Sequence, residues 1–183
     1  MKEVYSKDWV TKKIPLWSSV LDKFKGKPVS YLEIGCFEGK ATRWILDNFS
    51  VDSIFIFDTF HMPNMRDIFE NNIRKYIDKV LIFEGKSQEE VRKALNKEDK
   101  IDIAYIDGSH MAYDVLEDAI LVFRHMKIGG IIIFDDYGWH KRRSQNNPQS
   151  APKLGIDSFL NVFKDFIEVH HVGWQVIIEK VKE

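Results

Sequence analysis

Ser30-Tyr31-Leu32-Glu33-Ile34-Gly35-Cys36-Phe37-Glu38-Gly39-Lys40 decides how the rest of the chain is read. Val29, Tyr31, Leu32 and Ile34 give a buried strand over about Val29 to Ile34. Glu33 lies inside that run, where a carboxylate is expensive without a partner. Gly35 and Gly39 allow a tight turn and a close backbone approach. Ala41, Trp44, Ile45 and Phe49 then recur at helical spacing, so a helix occupies about Lys40 to Phe49. Open α/β sheets make their first ligand site in this way, from strand to glycine turn to helix. The spacing Gly35-x-x-x-Gly39 lacks the Gly-x-Gly-x-x-Gly pattern that cradles a pyrophosphate. Glu33 instead favours a cationic or amine-bearing ligand. The competing role is a plain turn, with Glu33 paired to a lysine.

The pattern repeats along the chain. Ser53 to Phe57, Val80 to Phe83, Ile101 to Ile106 and Ile131 to Phe134 read as further apolar strands. Helical spacing marks Pro15 to Phe24, Asn64 to Ile77, a helix starting at Ser87 and a long one from Met111 to Met126. Ser87 and Glu90 match a capping box. Five apolar strands alternating with helices mean a parallel sheet covered on both faces. After Asp136 the pattern changes. Tyr137 to Pro152 is a polar loop of 16 residues, a length that is usually functional or mobile. A helix over Leu154 to Asp165 follows. Phe166 to Val172 and Trp174 to Val181 then form an antiparallel hairpin at the sheet edge.

At 183 residues, 44% hydrophobic and 30% charged, the chain suits one globular domain, 1–183, with a helical N-terminal cap over 1–28 and a mobile loop over 137–152. A net charge of −1 gives no basic field for nucleic acid. No apolar run approaches the ~18 residues of a membrane span. The one cysteine, Cys36, excludes an internal disulfide and leans towards a cytoplasmic protein. A homodimer is compatible with all of this.

Ligands of such sheets bind at the carboxyl edge, so the acids at strand ends are the first candidates. They are Asp58, Glu84, Asp107, Asp135 and Asp136. Asp58 stands where an acid accepts the ribose hydroxyls of a nucleoside; its competing role is a turn aspartate. Asp107 and Asp135 are one crossover apart, about 5 Å if their strands are neighbours. Three converging carboxylates repel unless a cation sits between them. Oxygen ligands suit Mg²⁺ or another hard divalent ion. His110 can serve as a general base near neutral pH, or cap the long helix. His140 in the loop ranks below it, and Lys141-Arg142-Arg143 is as well read as a solvated turn. Trp9, Trp17, Trp44 and Trp174 read as core; Trp139 is the exception.

Together these residues resemble the class I S-adenosylmethionine-dependent methyltransferases. The resemblance rests on Leu32-Glu-Ile-Gly35, Ile106-Asp-Gly-Ser-His110 and Gly129-Gly-Ile-Ile-Ile-Phe-Asp-Asp-Tyr137. It is nearest to the branch related to macrocin-type sugar O-methyltransferases, and more distantly to catechol-type enzymes. The resemblance implies a Rossmann-like three-layer α/β/α sandwich with strand order 3-2-1-4-5-7-6. It implies that Glu33 faces the methionine amino group and that Gly35, Cys36, Phe37 and Gly39 line the methionine end. Asp58, Thr59 and Phe60 would hold the adenosine. Gly85, Ser87 and Gln88 would cup adenine, and Asp107 would border the cofactor. Asp107, Asp135 and Asp136 match Mg²⁺ ligands, and His110 stands where catechol-type enzymes place a lysine base, with Asp107 as the other proton acceptor. Tyr137, Trp139 and His140 fall on the acceptor side. The expected function is O-methylation of a small polyol, sugar or glycan. The alternatives are metal-free transfer by the same fold and a non-catalytic cofactor-binding module.

Overall fold

The computed structural model describes residues 3–139 and 147–183. Seven strands form one sheet: β1 Pro28–Ile34, β2 Ser50–Asp58, β3 Val80–Glu84, β4 Ile101–Ile106, β5 Met126–Phe134, β6 Ile167–Val172 and β7 Val176–Lys180. Their order is 3-2-1-4-5-7-6, as the resemblance implies. β1 to β5 pair in parallel, and β7 runs antiparallel to both β5 and β6. Among the described residues there are six α-helices: α1 Ile14–Val20, α2 Lys40–Asn48, α3 Met65–Ile73, α4 Ser87–Ala94, α5 Ala112–His125 and α6 Pro152–Phe163.

Alternation along the strands builds a core on each face, because successive side chains point to opposite sides. In β5, Ile131 and Ile133 pack with α1, α2 and α3, whereas Ile132 and Phe134 pack with α4, α5 and α6. The second core is rich in aromatics. Phe159 of α6 lies 5.4 Å from Phe123 and 5.6 Å from Phe134, ring centre to ring centre.

The register brings the strand ends to one edge. Ile34 pairs with Phe57 on one side and Ile106 on the other, and Ile106 pairs with Phe134. One more ladder bond follows each end: Gly35 N–H to Phe57 O at 2.8 Å, Asp107 N–H to Ile34 O at 2.8 Å, and Asp135 N–H to Ile106 O at 3.0 Å. The strand order reverses between β1 and β4, so Gly35 and Asp107 flank the crevice where open sheets take ligands.

Several elements differ from expectation. The helix expected over Pro15 to Phe24 divides into α1 and a separate 3₁₀ turn at Asp22–Phe24, and another 3₁₀ turn, Thr11–Lys13, leads into it. β5 starts at Met126, directly after α5 and before the expected Ile131, so that Gly129 and Gly130 lie inside it. Ser87 opens α4, but its hydroxyl donates to Asp118 Oδ1 at 2.7 Å, so no capping box forms with Glu90.

Candidate active site

A cleft of about 1360 Å³ opens at the carboxyl edge. One half of its wall is Gly35, Phe37, Asp58, Thr59, Phe60 and the Gly85 to Gln88 segment. The other half carries Asp107, His110, Asp135, Asp136, Trp139 and Trp174. Thus most residues singled out at the strand ends meet in one space.

The glycine turn is built by steric exclusion. Gly35 has φ +81°, and a Cβ there would stand 2.1 Å from the Asp107 carbonyl oxygen. Gly39, at φ +77°, backs onto the Phe69 ring away from the cleft wall. Phe37, Phe60 and Asp136 have positive φ without being glycine, and all three line the cleft. Such conformations cost on the order of 1–3 kcal/mol each and cluster at functional sites.

Asp58 ties this turn together. Its Oδ2 accepts the N–H groups of Cys36 at 2.8 Å and Phe37 at 3.2 Å, and its Oδ1 accepts Phe60 N–H at 2.8 Å. The turn role and the position on the cleft wall therefore coexist in one carboxylate. Cys36 is buried, and burial together with the Asp58 carboxylate pushes its thiol well up.

Glu33 is fully buried and lies off the main wall, in a cavity of about 30 Å³ beneath Gly35, Phe37 and Asp107. That is room for about one water. Its Oε2 accepts hydroxyl bonds from Tyr31 at 2.9 Å and Thr42 at 2.5 Å. Oε1 has no hydrogen-bond partner among the described residues. Burial pushes its carboxyl up to about 8, against the pull of the two hydroxyls. The lysine partner considered from sequence is replaced by these two hydroxyls.

The acid cluster is held together differently from expectation. Tyr105 hydroxyl lies 2.8 Å from Asp107 Oδ2 and also contacts Asp135 Oδ2. Lys13 Nζ pairs with the same Asp135 oxygen. Asp135 Oδ1 accepts the N–H of Asp136 at 2.8 Å. Asp136 is turned outward, with Oδ2 2.7 Å from His110 Nε2 and Oδ1 accepting Trp174 Nε1–H at 3.0 Å. Burial and the adjacent Asp135 push the Asp107 carboxyl well up, although Lys13 opposes this.

These carboxylates do not fit a divalent ion. Among the described residues no three His, Cys, Asp or Glu side chains are grouped to hold one. The Asp135 and Asp136 oxygens are engaged by Lys13, Tyr105, His110, Trp174 and a backbone N–H. For the expected Mg²⁺ set the negative charge does converge, and among the described residues protein donors contact it.

Other assignments shift as well. Tyr137 does not line the cleft: its hydroxyl donates to Asp157 at 2.9 Å and accepts from Lys153 at 2.8 Å, facing α6. His140 and Lys141-Arg142-Arg143 lie outside the described residues. Trp9 and Trp174, expected in the core, are 59% and 42% exposed and line the cleft. Trp9 packs on Phe37 with ring centres 5.1 Å apart. Trp139 lies 4.7 Å from the His110 ring. His61, Tyr113 and Lys13 also line the cleft, and nothing in their sequence context pointed there. Asp118 was missed because it stands in the middle of a helix. Buried in α5, it accepts from Ser87 Oγ and from Gln88 Nε2 at 2.9 Å, fixing the segment expected to cup adenine.

A methyltransferase-domain family matches residues 32–137 of the chain. The match spans more than half of the sequence and contains the glycine turn and the acid cluster, so the chain belongs to this methyltransferase family. An uncharacterized protein, R132, of Acanthamoeba polyphaga mimivirus is 27% identical over 128 residues, 65% of this chain and 56% of the viral protein. A putative O-methyltransferase from Klebsiella pneumoniae superposes with a TM-score of 0.74 at 14% identity, covering 98% of this chain and 84% of the other. MycE of the mycinamycin biosynthetic pathway, crystallised with Mg, S-adenosylhomocysteine and mycinamycin VI, gives 0.71 at 19% identity, over 96% of this chain. This chain spans 51% of MycE and 56% of the viral protein. The fold is that of the class I S-adenosylmethionine-dependent methyltransferases. Among the described residues no helix is long and apolar enough to cross a membrane.

Proposed function

We propose that the chain is an S-adenosylmethionine-dependent O-methyltransferase that acts, without a divalent ion, on a hydroxyl of a small polyol, sugar or glycan. The observation that carries this reading is a cleft that joins a half lined by the glycine turn, Asp58 and Phe60 to an acid and histidine half. When bound, S-adenosylmethionine supplies an electrophilic methyl carbon on a cationic sulfur. Asp58 retains oxygen lone pairs for ribose hydroxyls beyond the backbone bonds it accepts. Phe60 and the Gly85 to Gln88 segment enclose the base. Glu33 serves the amino group through a bridging water: it borders a cavity of one-water size and keeps one oxygen without a hydrogen-bond partner among the described residues.

On the acceptor side, His110 takes the hydroxyl proton. With Nε2–H donating to Asp136, Nδ1 is left as the accepting atom. Asp136 thus orients the ring. Asp107, already engaged by the Tyr105 hydroxyl, is the second candidate for that proton. A positioned base contributes roughly 10²–10⁴-fold, and alignment of the reactants ~7–11 kcal/mol. The aromatic faces of Trp9, Trp139 and Trp174 suit the apolar face of a sugar ring and exclude water around the reacting hydroxyl. MycE, whose complex holds S-adenosylhomocysteine together with mycinamycin VI, adds support for a small-molecule acceptor.

The test is a screen of hydroxylated acceptors with methyl-labelled cofactor, in the presence of a chelator. Label transferred to an acceptor oxygen, and lost in His110→Ala, is the expected result. Label transfer that requires added Mg²⁺ would restore the metal-dependent form. Cofactor binding with no transfer to any acceptor would contradict this reading of the acceptor class.

A further inference from the structure

Residues 3–13 form a strap across the glycine turn, fastened along its length. The buried Asn72 side chain accepts the Val4 N–H at 2.7 Å and donates back to the Val4 carbonyl at 2.7 Å. It also donates to the Glu38 carbonyl at 2.8 Å, which links the strap to the turn. Ser6 N–H donates to Glu38 Oε2 at 2.7 Å. Asp8 pairs with Lys40 at 2.6 Å and accepts the N–H of Thr11 at 2.9 Å. Trp9 then packs on Phe37. These anchors direct the Thr11–Lys13 turn towards the sheet edge, and Lys13 is its last residue.

Lys13 Nζ reaches Asp135 Oδ2 and lies 3.5 Å from the Tyr105 hydroxyl oxygen. Asp135 is 4% exposed. A carboxylate buried to that degree needs a counter-charge and hydrogen bonds. Asp136 does not share the burden, because both of its oxygens are turned to His110 and Trp174. Among the described residues the cluster therefore holds one fixed positive charge, from the strap, where oxygen ligands alone would require an ion from solution.

We propose that the Lys13 ammonium is the resident cation of this acid cluster, standing where a divalent ion would have to sit and making the site metal-independent. The inference rests on reading the cleft as a methyl-transfer site, and it assigns the strap a function there. An ammonium has three N–H donors. One serves Asp135, one serves Tyr105, and the third is left to hold the acceptor oxygen. Lys13 thereby positions the hydroxyl and stabilises negative charge developing on it, while the proton goes to His110.

The test needs no turnover. Binding of Mn²⁺ to the full chain is followed by electron paramagnetic resonance. Wild type shows no saturable binding up to about 1 mM, the weak end for hard-cation sites in proteins. Lys13→Met, which keeps the stem and removes the charge, gains a Mn²⁺ site, and adding Asp135→Asn abolishes it. A wild-type Mn²⁺ site that Asp135→Asn removes would overturn the proposal, as would a folded Lys13→Met that binds no Mn²⁺. Hydrogen exchange decides independently if Lys13→Met does not fold. Asp135→Asn speeds exchange at the Lys13 amide, which donates to Val10 O at 2.8 Å; unchanged protection there would overturn the link between strap and cluster. Titration with S-adenosylhomocysteine in parallel keeps the two readings apart, because failure of cofactor binding would sink the methyl-transfer reading and leave the Mn²⁺ result standing.

Discussion

Glu33 carries a carboxyl in full burial with one oxygen unpartnered among the described residues, and burial pushes it up to about 8 from an ordinary 4.5. The folded state therefore holds a proton that the unfolded state has lost. The stability contributed by this proton is fully present below about pH 4.5 and is lost as pH rises through about 8. Thermal midpoints should fall over that window, and Glu33→Gln should flatten the fall. An ammonium drawn near Glu33 reverses the preference and expels the proton. Calorimetry of S-adenosylhomocysteine at pH 7 should then give enthalpies that depend on the buffer's ionisation heat in wild type and not in Glu33→Gln. The Asp58 carboxylate holds three backbone N–H groups. Asp58→Asn turns an N–H₂ towards one side of that set, so it should cost about 1–3 kcal/mol of stability on denaturant titration and also weaken cofactor binding. Both acids were visible in the sequence, one as a misfit in an apolar run and the other as a strand-end acid. Their partners were less so: Tyr31 stands two residues before Glu33 on the same face of β1, but the Thr42 hydroxyl reaches it from α2, across the glycine turn.

Strands and helices were legible where periodicity was strong. β1, β4 and α5 stand within a few residues of their sequence limits, because apolar runs and helical spacing act locally. The strap was not legible. Residues 3–13 are mostly polar, and much of their order comes from long-range contacts such as Asn72 to Val4 and Trp9 to Phe37. Ser87 shows the same limit: a capping pattern gave way to a buried partner, Asp118, on another helix. Burial, with Asp114 and Glu117 nearby, pushes the Asp118 carboxyl up to about 7 against the Ser87 bond. Asp118→Asn keeps an acceptor for that hydroxyl and should raise the thermal midpoint above pH 7 while sparing it near pH 4. Asp118→Ala should loosen the start of α4 and raise the KM for cofactor more than it lowers kcat. At the junction of α5, α6 and β5, Phe159 is fully buried among Phe123, Phe134 and Phe163. Phe159→Ala should cost about 3–5 kcal/mol, read from the shift in denaturation midpoint.

At the scale of the molecule, the parallel order 3-2-1-4-5 creates a crevice between β1 and β4, and the closing hairpin leaves β5 inside the sheet. The crevice brings together residues as distant in sequence as Lys13, Asp58 and Asp135. Their convergence was legible as a property of strand ends; its neutralisation by a lysine was not, because no spacing rule relates residue 13 to residue 135. The central claim is that this crevice binds the cofactor. Titration calorimetry of the intact chain with S-adenosylhomocysteine tests it most directly. The account predicts saturable binding at one site per chain, weakened by at least about tenfold, 1.4 kcal/mol, in Asp58→Asn. No binding by folded wild-type protein, or binding that Asp58→Asn leaves unchanged, would contradict it.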